Sequence, residues 1–380
     1  MKKALLVASV ASMIDQFNIA NIEILQSLGC EVSLACNFSE GNTTSYDRIL
    51  KFKAEMAEKS VACYQIDFSR NIRNFRQNIK AFSELKKVIS DNRFDLIHCQ
   101  SPIGGLLTRM AADKARKCGT KVIYTAHGFH FYKGAGVFEW LAYYPIEHLM
   151  SRYTDVLITI NREDFSLAYD KFTTASVMYL PGVGIDLDKF SGDEARRTDR
   201  TILRKELSIK EEDKVVLSVG ELNANKNHEA VIRALKGTDY VYVLVGKGKL
   251  RNHLMTLATE LGVKCIMPGY RDDILRFYNA ADAFAFPSVR EGLPVSLMEA
   301  MAAGLPCVVS NIRGNVDLVD KEGGFLVDPS DEEAVKCAID SCLGPNGIGM
   351  GEYNRKRIKN FSSETVNKEM TDIYSSVLVD

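Results

Sequence analysis

The chain has 380 residues, more than one hydrophobic core usually organises, so we expect two domains. Its residues are 46% hydrophobic and 26% charged with a formal net charge of -1, which excludes a disordered or fibrous protein. We expect no nucleic-acid partner. No stretch approaches the roughly 20 apolar residues of a membrane span. The nine dispersed cysteines predict reduced thiols and a cytoplasmic protein.

Short runs rich in Val, Ile and Leu alternate with longer helical patterns along most of the chain, which predicts α/β domains with parallel sheets. In the first half the predicted strands are residues 3–9, 31–36, 94–99, 121–126, 155–160 and 176–180. In the second half they are residues 214–219, 240–245, 264–268, 283–287, 306–310 and 324–328. A linker is predicted at 181–200, where turn residues and charges show no sustained period. Two doubly wound, Rossmann-like domains, 1–190 and 200–360, are therefore expected.

Residues 68–121 contain twelve Lys and Arg against four Asp and Glu. In the stretch FSRNIRNFRQNIKAF, Arg70, Arg73 and Arg76 recur near helical spacing beside aromatic and aliphatic residues. This pattern predicts a helix lying on an anionic membrane surface. The stretch KGAGVFEWLAYYPIEHL adds aromatic residues around Trp140 and Tyr143. A charged helix face in water would give the same pattern, and both readings stay open.

The segment FPSVREGLPVSLMEAMAAGLPCVVS predicts a strand, a loop, a helix, a turn and a second strand. Glu291 then precedes a helix, Pro294 lies in the first turn, and Glu299 lies about two turns inside. Free N–H groups of Gly292 and Leu293 would bind a pyrophosphate, and a nearby carboxylate would accept hydrogen bonds from sugar hydroxyls. Two exposed acids favoured by the helix dipole would explain the same residues.

Glu291 and Glu299, with seven residues between them in PSVREGLPVSLMEAMAAGLP, resemble the E-x7-E signature of retaining GT-B glycosyltransferases of family four. Further similar segments are SVGELNANKNHEA, VGKGKLRNHL, PGYRDDI and GGFLVDPSDEEAV. HCQSPIGG, TAHGFHFYKGA and YYPIEHLMSRYTDVLITIN resemble the capsule and exopolysaccharide branch of that family. The resemblance implies a GT-B fold, in which two Rossmann-like domains face a central cleft. It also implies that a last helix, 361–380, packs back on the first domain.

The resemblance implies roles for residues of the second half. Glu299 would bind the ribose hydroxyls of the nucleotide, Glu291 would contact the transferred hexose, and Lys226 would neutralise the diphosphate. Tyr270 and Arg271 would lie along the base, although both side chains could simply fill a turn. The other donor-binding positions implied are Gly220, Gly292, Leu293 and Pro294.

One residue departs from the family pattern. Where the family commonly has an arginine that shares the diphosphate, this chain has Glu221. Arg290, next to Glu291, could partly replace that arginine or could serve in a structural ion pair. The strength of phosphate binding is therefore in doubt.

In the first half, His127 directly follows the predicted strand KVIYTA. The match of TAHGFH to the family implies that His127 contacts the donor hexose, although His130 could hold that role instead. The loop from Ser9 to Asn18 lacks the paired glycines of many relatives, which favours contact with the acceptor. Asp186 and Asp188 form a D-x-D, but in a segment with no metal role in the family, so we expect a reaction without metal or other cofactor.

The expected function is transfer of a hexose or N-acetylhexosamine from a UDP-sugar, with retention, to a hydroxyl of a polyprenyl-linked saccharide. This reaction would serve capsule, exopolysaccharide or O-antigen synthesis at the inner face of the cell membrane. A nucleotide-sugar epimerase and a catalytically silent nucleotide-sugar-binding protein of the same fold are the alternatives. A dinucleotide oxidoreductase is disfavoured, because Gly246-Lys247-Gly248 lacks the third glycine of the G-x-G-x-x-G fingerprint.

Overall fold

The computed structural model describes residues 1–71, 73–190 and 192–379. Ile72 of the predicted basic helix, Ser191 of the predicted linker and Asp380 of the predicted last helix lie outside the described residues. The chain forms two compact units. The first comprises Met1–Val183 together with the chain from Val366 onward, and the second comprises Gly184–Thr365.

The first unit contains a seven-stranded parallel sheet with the order β3-β2-β1-β4-β5-β6-β7. Its strands are β1 (Lys3–Val10), β2 (Glu31–Asn37), β3 (Ala62–Gln65), β4 (Leu96–Gln100), β5 (Lys121–Ala126), β6 (Val156–Thr159) and β7 (Ser176–Tyr179). The helices between them are α1 (Ala11–Phe17), α2 (Ile19–Ser27), α3 (Tyr46–Glu58), α4 (Phe75–Asn92), α5 (Pro102–Ala111), α6 (Asp113–Lys117), α7 (Val137–Ser151) and α8 (Arg162–Lys171).

The second unit contains a six-stranded parallel sheet with the order β10-β9-β8-β11-β12-β13. Its strands are β8 (Val215–Val219), β9 (Val241–Val245), β10 (Lys264–Gly269), β11 (Ala283–Phe286), β12 (Cys307–Ser310) and β13 (Gly324–Val327). Its helices are α9 (Asp193–Glu206), α10 (His228–Ala234), α11 (Arg251–Glu260), α12 (Ile274–Ala280), α13 (Val295–Ala302), α14 (Asn315–Leu318), α15 (Glu332–Leu343) and α16 (Gly347–Arg357). Two short 3-10 helices span Leu187–Phe190 and Ile358–Phe361, and the last helix is α17 (Ser363–Val379).

Strand β1 shows why apolar runs without alternation predicted these sheets. Ala4, Leu6 and Ala8 pack on one face of the first sheet, while Leu5 and Val7 pack on the other. A strand covered by helices on both faces needs apolar side chains at every position. The two parallel, doubly wound sheets confirm the predicted α/β class and the Rossmann-like form of both halves. All twelve predicted strands occur, and β3, a short edge strand, was not predicted.

Helix α17 packs on the first unit. Val366, Met370, Ile373, Tyr374 and Val377 are buried in the cluster that contains one face of β1. The side chains recur every three or four residues, which gives one continuous apolar stripe along the helix. Residues at opposite ends of the chain therefore share one core.

The predicted basic helix begins later than expected. Helix α4 starts at Phe75, so Arg76 lies on it, whereas Arg70 and Arg73 precede it. Asparagine and serine side chains in this segment accept hydrogen bonds from nearby backbone N–H groups, as Asn71 does from Arg73 at 3.0 Å. Such local bonds compete with helix formation. Phe68, the first residue of the stretch predicted to be this helix, is buried.

Acidic residues from outside the segment 68–121 neutralise part of its excess positive charge in the fold. Arg109 pairs with Glu147, Arg116 with Asp155 and Lys80 with Asp67, and all three acids lie outside the segment. Ion pairs between elements distant in sequence cannot be counted from a local stretch. The segment is therefore less cationic than its composition indicated.

Candidate functional site

The carboxyl ends of β8 and β11 meet at the centre of the second sheet, where the strand order changes direction. The loops after these strands, 220–227 and 287–294, carry most of the predicted donor-binding residues. In open parallel sheets this change of direction leaves a crevice beyond the strand ends in which ligands bind. The sheet topology therefore brings Lys226 and Glu291, 65 residues apart, to one place.

Lys226 and Glu291 form an ion pair. Lys226 Nζ donates to Glu291 Oε1 at 2.7 Å, and the side chains are only 19% and 11% exposed. The ammonium also lies 4.6 Å from the centroid of the Phe286 ring. This contact makes the two residues neighbours and gives the largely buried carboxylate a counter-charge.

Two hydrogen bonds hold the loops together. Val289 N donates to Asn225 O at 2.8 Å, and Asn225 Nδ2 donates to the Arg290 carbonyl at 3.0 Å. Within the part of the chain that the structure describes, the N–H groups of Gly292 and Leu293 donate to no other group. Helix α13 begins at Val295, so these N–H groups lie in the turn before it rather than in its first turn. They remain suitable for binding an anion.

Two predicted positions shift because α13 starts late. Pro294 has φ -78° and ψ 120°, an extended conformation, and therefore caps the helix instead of lying in its first turn. Glu299 is the fifth residue of the helix, little more than one turn from its start. Both residues still lie at the end of the helix that faces the strand ends.

Glu299 is partly buried and has one strong partner. Tyr278 Oη donates to Glu299 Oε2 at 2.8 Å and lies 3.1 Å from the carbonyl of Ser296. Burial raises the pKa of Glu299, and the hydrogen bond from Tyr278 and the charge of Lys189 act against that rise. A desolvated carboxylate gains most from hydroxyl donors, which suits the role in ribose binding that the resemblance implies.

Glu221 and Arg290, the residues that depart from the family pattern, are both exposed. The Glu221 carbonyl lies 3.3 Å from His228 Nε2, while its carboxylate contacts no described residue. Arg290 forms no ion pair with any residue among 1–71, 73–190 and 192–379, so the structural alternative for its side chain finds no support there. Two cations of the site contact Glu291: Lys226 binds its carboxylate, and Arg313 Nε donates to its carbonyl at 3.1 Å.

The two predicted base-binding side chains differ. Tyr270 is 66% exposed, with Lys247 Nζ 5.2 Å from its ring centroid. Arg271 is held by Asp273 at 2.7 and 2.8 Å and by Glu206 at 2.7 Å. The guanidinium of Arg271 therefore ties the loop to α9, and only its main chain is available to a ligand.

Gly220 lies where the loops after β8 and β9 cross. A side chain on Gly246, which has φ +150°, would place a Cβ atom 1.9 Å from the Gly220 carbonyl oxygen. The Lys226 side chain packs on the other side, because a Cβ on Gly220 would lie 3.4 Å from Lys226 Cε. The glycines allow the two loops and the lysine stem to pack closely.

The first unit has a cleft of about 860 Å³ at the carboxyl ends of β1, β4 and β5. Ser9, at the end of the central strand β1, and Ser101, which follows β4, line it and share a hydrogen bond of 2.7 Å. Ser101 has φ +66°, a strained conformation for a residue with a side chain, and such strain is concentrated at functional sites. Ser101 was not predicted, because the sequence contains no signal for it.

His127, His130 and Arg70, the predicted sugar-contacting and acceptor-side residues, all line this cleft, while their roles stay predictions. Burial lowers the pKa of His127 to about 4, so its imidazole is neutral at physiological pH. The His130 ring stacks on Tyr143, with centroids 4.7 Å apart. Arg70 Nη1 donates to the carbonyl of Gly41 at 3.4 Å. Arg73 and Arg76 do not line the cleft.

A buried ion pair also borders the cleft and was missed by sequence reasoning. Arg109, 1% exposed, donates to Glu147 at 2.8 Å, and its guanidinium lies 4.0 Å from the centroid of the Tyr124 ring.

A second set of contacts, deeper in the fold, is centred on His98, which contacts Tyr374 Oη at 2.6 Å and Thr125 Oγ1 at 2.8 Å. Neither set has a local sequence signal, because each joins separate elements.

Metal-binding and membrane-spanning features were sought in the described residues. In residues 1–71, 73–190 and 192–379, no three His, Cys, Asp or Glu side chains are close enough to hold a metal ion. Asp186 of the D-x-D pairs with Lys189 at 3.5 Å. No described helix combines the length and the apolar character required to cross a bilayer.

Comparison with known proteins gives two family matches. Residues 199–360 match the model described as glycosyl transferases group 1, and residues 5–161 match the model described as glycosyl transferase 4-like. EpsD of Bacillus subtilis is 36% identical, over 80% of this chain and 82% of its own length. The UDP-Gal:alpha-D-GlcNAc-diphosphoundecaprenol alpha-1,3-galactosyltransferase of Escherichia coli is 30% identical, over 97% of this chain and 95% of its own length.

Among solved structures, Anabaena HepE in complex with UDP superposes with a TM-score of 0.78 at 18% identity, covering 99% of this chain and 100% of HepE. WaaG, a glycosyltransferase involved in lipopolysaccharide biosynthesis, gives 0.70 at 19% identity, covering 98% and 99%. These two likenesses concern the fold. The two family matches together cover most of the chain, and the Escherichia coli relative matches 97% of it.

Proposed function

Since the chain belongs to the group 1 glycosyltransferases, we propose that it is a retaining, metal-independent enzyme that uses a UDP-sugar. The sugar is a hexose or an N-acetylhexosamine, and the acceptor is a hydroxyl of a polyprenyl-linked saccharide. The observation that carries the proposal is the Lys226–Glu291 pair beyond the carboxyl ends of β8 and β11, with Glu299 little more than one turn inside the helix that follows Glu291. The enzyme works in the cytoplasm, in the synthesis of capsule, exopolysaccharide or O-antigen.

The donor is held by the second unit. Its diphosphate binds Lys226 and the free N–H groups of Gly292 and Leu293, while Glu299 accepts hydrogen bonds from the ribose. Glu291 accepts hydrogen bonds from hydroxyls of the sugar. The lysine thus has a phosphate and a carboxylate as neighbours, and its charge stabilises both.

Support for the donor and acceptor comes from relatives. HepE was crystallised with UDP and with UDP-glucose, and the Escherichia coli relative is named for a UDP-Gal donor and a diphosphoundecaprenol-linked acceptor. The match to the latter covers nearly the whole of both chains. We assign the acceptor to the cleft of the first unit, which combines apolar walls with His127, His130 and Arg70.

Retention follows if the acceptor attacks the face from which the diphosphate leaves. The acceptor oxygen bonds to the anomeric carbon, the bond from that carbon to the phosphate oxygen breaks, and the acceptor proton passes to the departing diphosphate. Lys226 stabilises the charge that grows on the leaving group. The carboxylate of Glu291 is engaged with Lys226, so it orients the sugar and is not the nucleophile.

A direct test is to incubate the purified protein with UDP-hexoses, UDP-N-acetylhexosamines and a short-chain polyprenyl diphosphate saccharide. We expect release of UDP that depends on the acceptor, and a product whose anomeric configuration by NMR equals that of the donor. Glu291→Ala should lose the activity while keeping the melting temperature. Inverted configuration, or full activity in Glu291→Ala, would refute the mechanism.

A catalytically silent nucleotide-sugar-binding protein is the second candidate, because Glu221 replaces a family arginine. A silent protein would be stabilised thermally by a UDP-sugar and would release no UDP with any acceptor. An epimerase would convert the free UDP-sugar without an acceptor. The same incubation therefore separates the three functions.

We also propose peripheral attachment to an anionic membrane, through a different surface from the predicted one. Trp140 and Tyr143 are partly buried against the core of the first unit. The most exposed apolar residues of α7 are instead Val137, Phe138 and Leu141, which are 76%, 72% and 73% exposed. Apolar side chains at the start of a helix can enter the interface between headgroups and acyl chains.

Liposome sedimentation tests this attachment. Vesicles with anionic lipid should pellet the parent protein at low salt, and Phe138→Ser/Leu141→Ser should reduce the pelleted fraction several-fold, since burial of each side chain contributes about 2 kcal/mol. Tyr169→Ser, a 70% exposed residue of α8, is the control. Equal pelleting of the parent and the double variant would exclude this surface.

A further inference from the structure

The environment of His127 fixes which of its nitrogens carries the proton. His127 directly follows β5, and its Nε2 atom lies 2.7 Å from Oε1 of Gln100, the last residue of the neighbouring strand β4. Gln100 is 4% exposed and does not line the cleft. The orientation of the Gln100 amide therefore decides whether His127 Nε2 donates or accepts.

The Gln100 amide is oriented by Asn18, which is 2% exposed and lies between α1 and α2. The two amides form a reciprocal pair. Asn18 Nδ2 donates to Gln100 Oε1 at 3.2 Å, and Gln100 Nε2 donates to Asn18 Oδ1. Reversal of one amide would oppose two N–H groups or two oxygens, so both must reverse together or not at all.

A backbone carbonyl prevents that reversal. Asn18 Nδ2 also donates to Met13 O at 3.3 Å, and a carbonyl oxygen can only accept. The Asn18 Oδ1 atom additionally accepts from Asn21 Nδ2 at 2.9 Å. The oxygen of Gln100 is thereby held toward His127, which must donate from Nε2. A neutral imidazole with Nε2–H has a lone pair on Nδ1.

That lone pair has no hydrogen-bond partner in the part of the chain that the structure describes, while the His127 side chain lines the cleft of the first unit. We infer that Gln100 and Asn18 are positioning residues that hold His127 as a hydrogen-bond acceptor, through Nδ1, for a hydroxyl group of the sugar substrate. The inference rests on the proposed function for the identity of the ligand, but the tautomer follows from the hydrogen bonds alone.

The ionisable groups around His127 define how it can be tested by pH. Arg70, His130 and Glu147 line the same cleft, as do the phenols Tyr124 and Tyr143, and His98 lies behind on β4. None of them differs between the parent and a variant of Gln100. A change in pH dependence that accompanies Gln100→Glu therefore reports on the new pair of His127 and the carboxyl group at 100, in which the carboxylate favours the imidazolium, whose Nδ1 is a donor.

Nitrogen NMR of histidine-labelled protein, with His127 assigned by substitution, reads the tautomer without substrate. We expect Nε2–H in the parent and no titration of His127 down to about pH 5, since burial lowers its pKa to about 4. In Gln100→Glu, His127 should titrate at a higher pH than in the parent. In Gln100→Met, the titration of His127 should show no such upward shift. A parent His127 protonated at Nδ1 overturns the inference, and it does so whether or not the protein transfers sugar.

The rate of UDP release supplies the second measurement. Gln100→Met should lose activity by about 5- to 10-fold at all pH values, as expected for one misplaced neutral hydrogen bond. Gln100→Glu should recover toward the parent at alkaline pH and lose activity as the pH falls through the raised pKa of His127. A pH profile of Gln100→Glu that superimposes on that of Gln100→Met would overturn the role of Nδ1 as an acceptor.

Discussion

Removal of the Lys226 charge should weaken UDP binding strongly. In Lys226→Met the ammonium that lies 2.7 Å from Glu291 is lost, and both side chains are largely shielded from water. Two unit charges about 4 Å apart attract by about 4 kcal/mol at an effective dielectric constant of about 20. The diphosphate loses this attraction and also meets a carboxylate that no longer has a counter-charge.

Desolvation of the lysine offsets part of this attraction. We therefore expect the substitution to weaken the free energy of UDP binding by about 2–4 kcal/mol, which raises the Kd by about 30- to 1000-fold. Isothermal titration with UDP measures it. The double variant Lys226→Met/Glu291→Gln should bind UDP about tenfold more tightly than Lys226→Met, because the carboxylate that repels the diphosphate is gone.

The matched control is Lys236→Met, an exposed lysine just before β9, at the amino ends of the strands. It should bind UDP like the parent. Melting temperatures of all variants identify any general loss of structure. A Kd for Lys226→Met within about twofold of the parent's would refute the assignment of Lys226 to the diphosphate.

Two further predictions concern the same unit. Tyr278→Phe removes the hydroxyl that donates to Glu299, so the pKa of Glu299 should rise further. The affinity for UDP should then fall more at about pH 6 than at about pH 8, because a protonated Glu299 offers fewer acceptors to the ribose. Titration calorimetry at both pH values tests this. Gly246→Ala places a Cβ atom 1.9 Å from the Gly220 carbonyl oxygen and should lower the free energy of unfolding by about 2 kcal/mol or more in urea.

Each of these predictions has its own control. For Tyr278→Phe, the ratio of UDP affinities at the two pH values in the parent is the reference, and an unchanged ratio would contradict the role of the hydroxyl. For Gly246→Ala, the control is Gly349→Ala, since a Cβ atom there meets nothing within 4 Å and lies on α16. It should be neutral or slightly stabilising. Equal unfolding midpoints in the two alanine variants would contradict the close approach at Gly246.

The sequence predicted the sheets well, because strands covered on both faces are continuous apolar runs such as KALLVAS and KVVLSV. It missed β3, whose four residues ACYQ lie at the sheet edge and contain no such run. It also misplaced the starts of α4 and α13, where side-chain hydrogen bonds and an extended Pro294 delay the helix. Helix boundaries depend on such local bonds more than on periodicity.

The candidate site could be predicted as far as it follows from topology. Lys226 and Glu291 were each predicted next to a strand end, and parallel strands bring those ends together. The pairing of Gln100 with Asn18 was not predicted, because their amides meet across 82 residues of sequence. The pairing of Arg109 with Glu147 was not predicted either, because the two residues lie on different helices.

The docking of α17 affects the order in which the protein can fold during synthesis. The first sheet leaves the ribosome long before Met370 and Tyr374, which complete one of its faces, and the whole second unit is made in between. Until then, Ala4, Leu6 and Ala8 lack part of their covering, and exposed apolar surface of this kind promotes aggregation. The second unit, continuous in sequence, can form its core first. Nascent first units should therefore depend on chaperones longer than second units do.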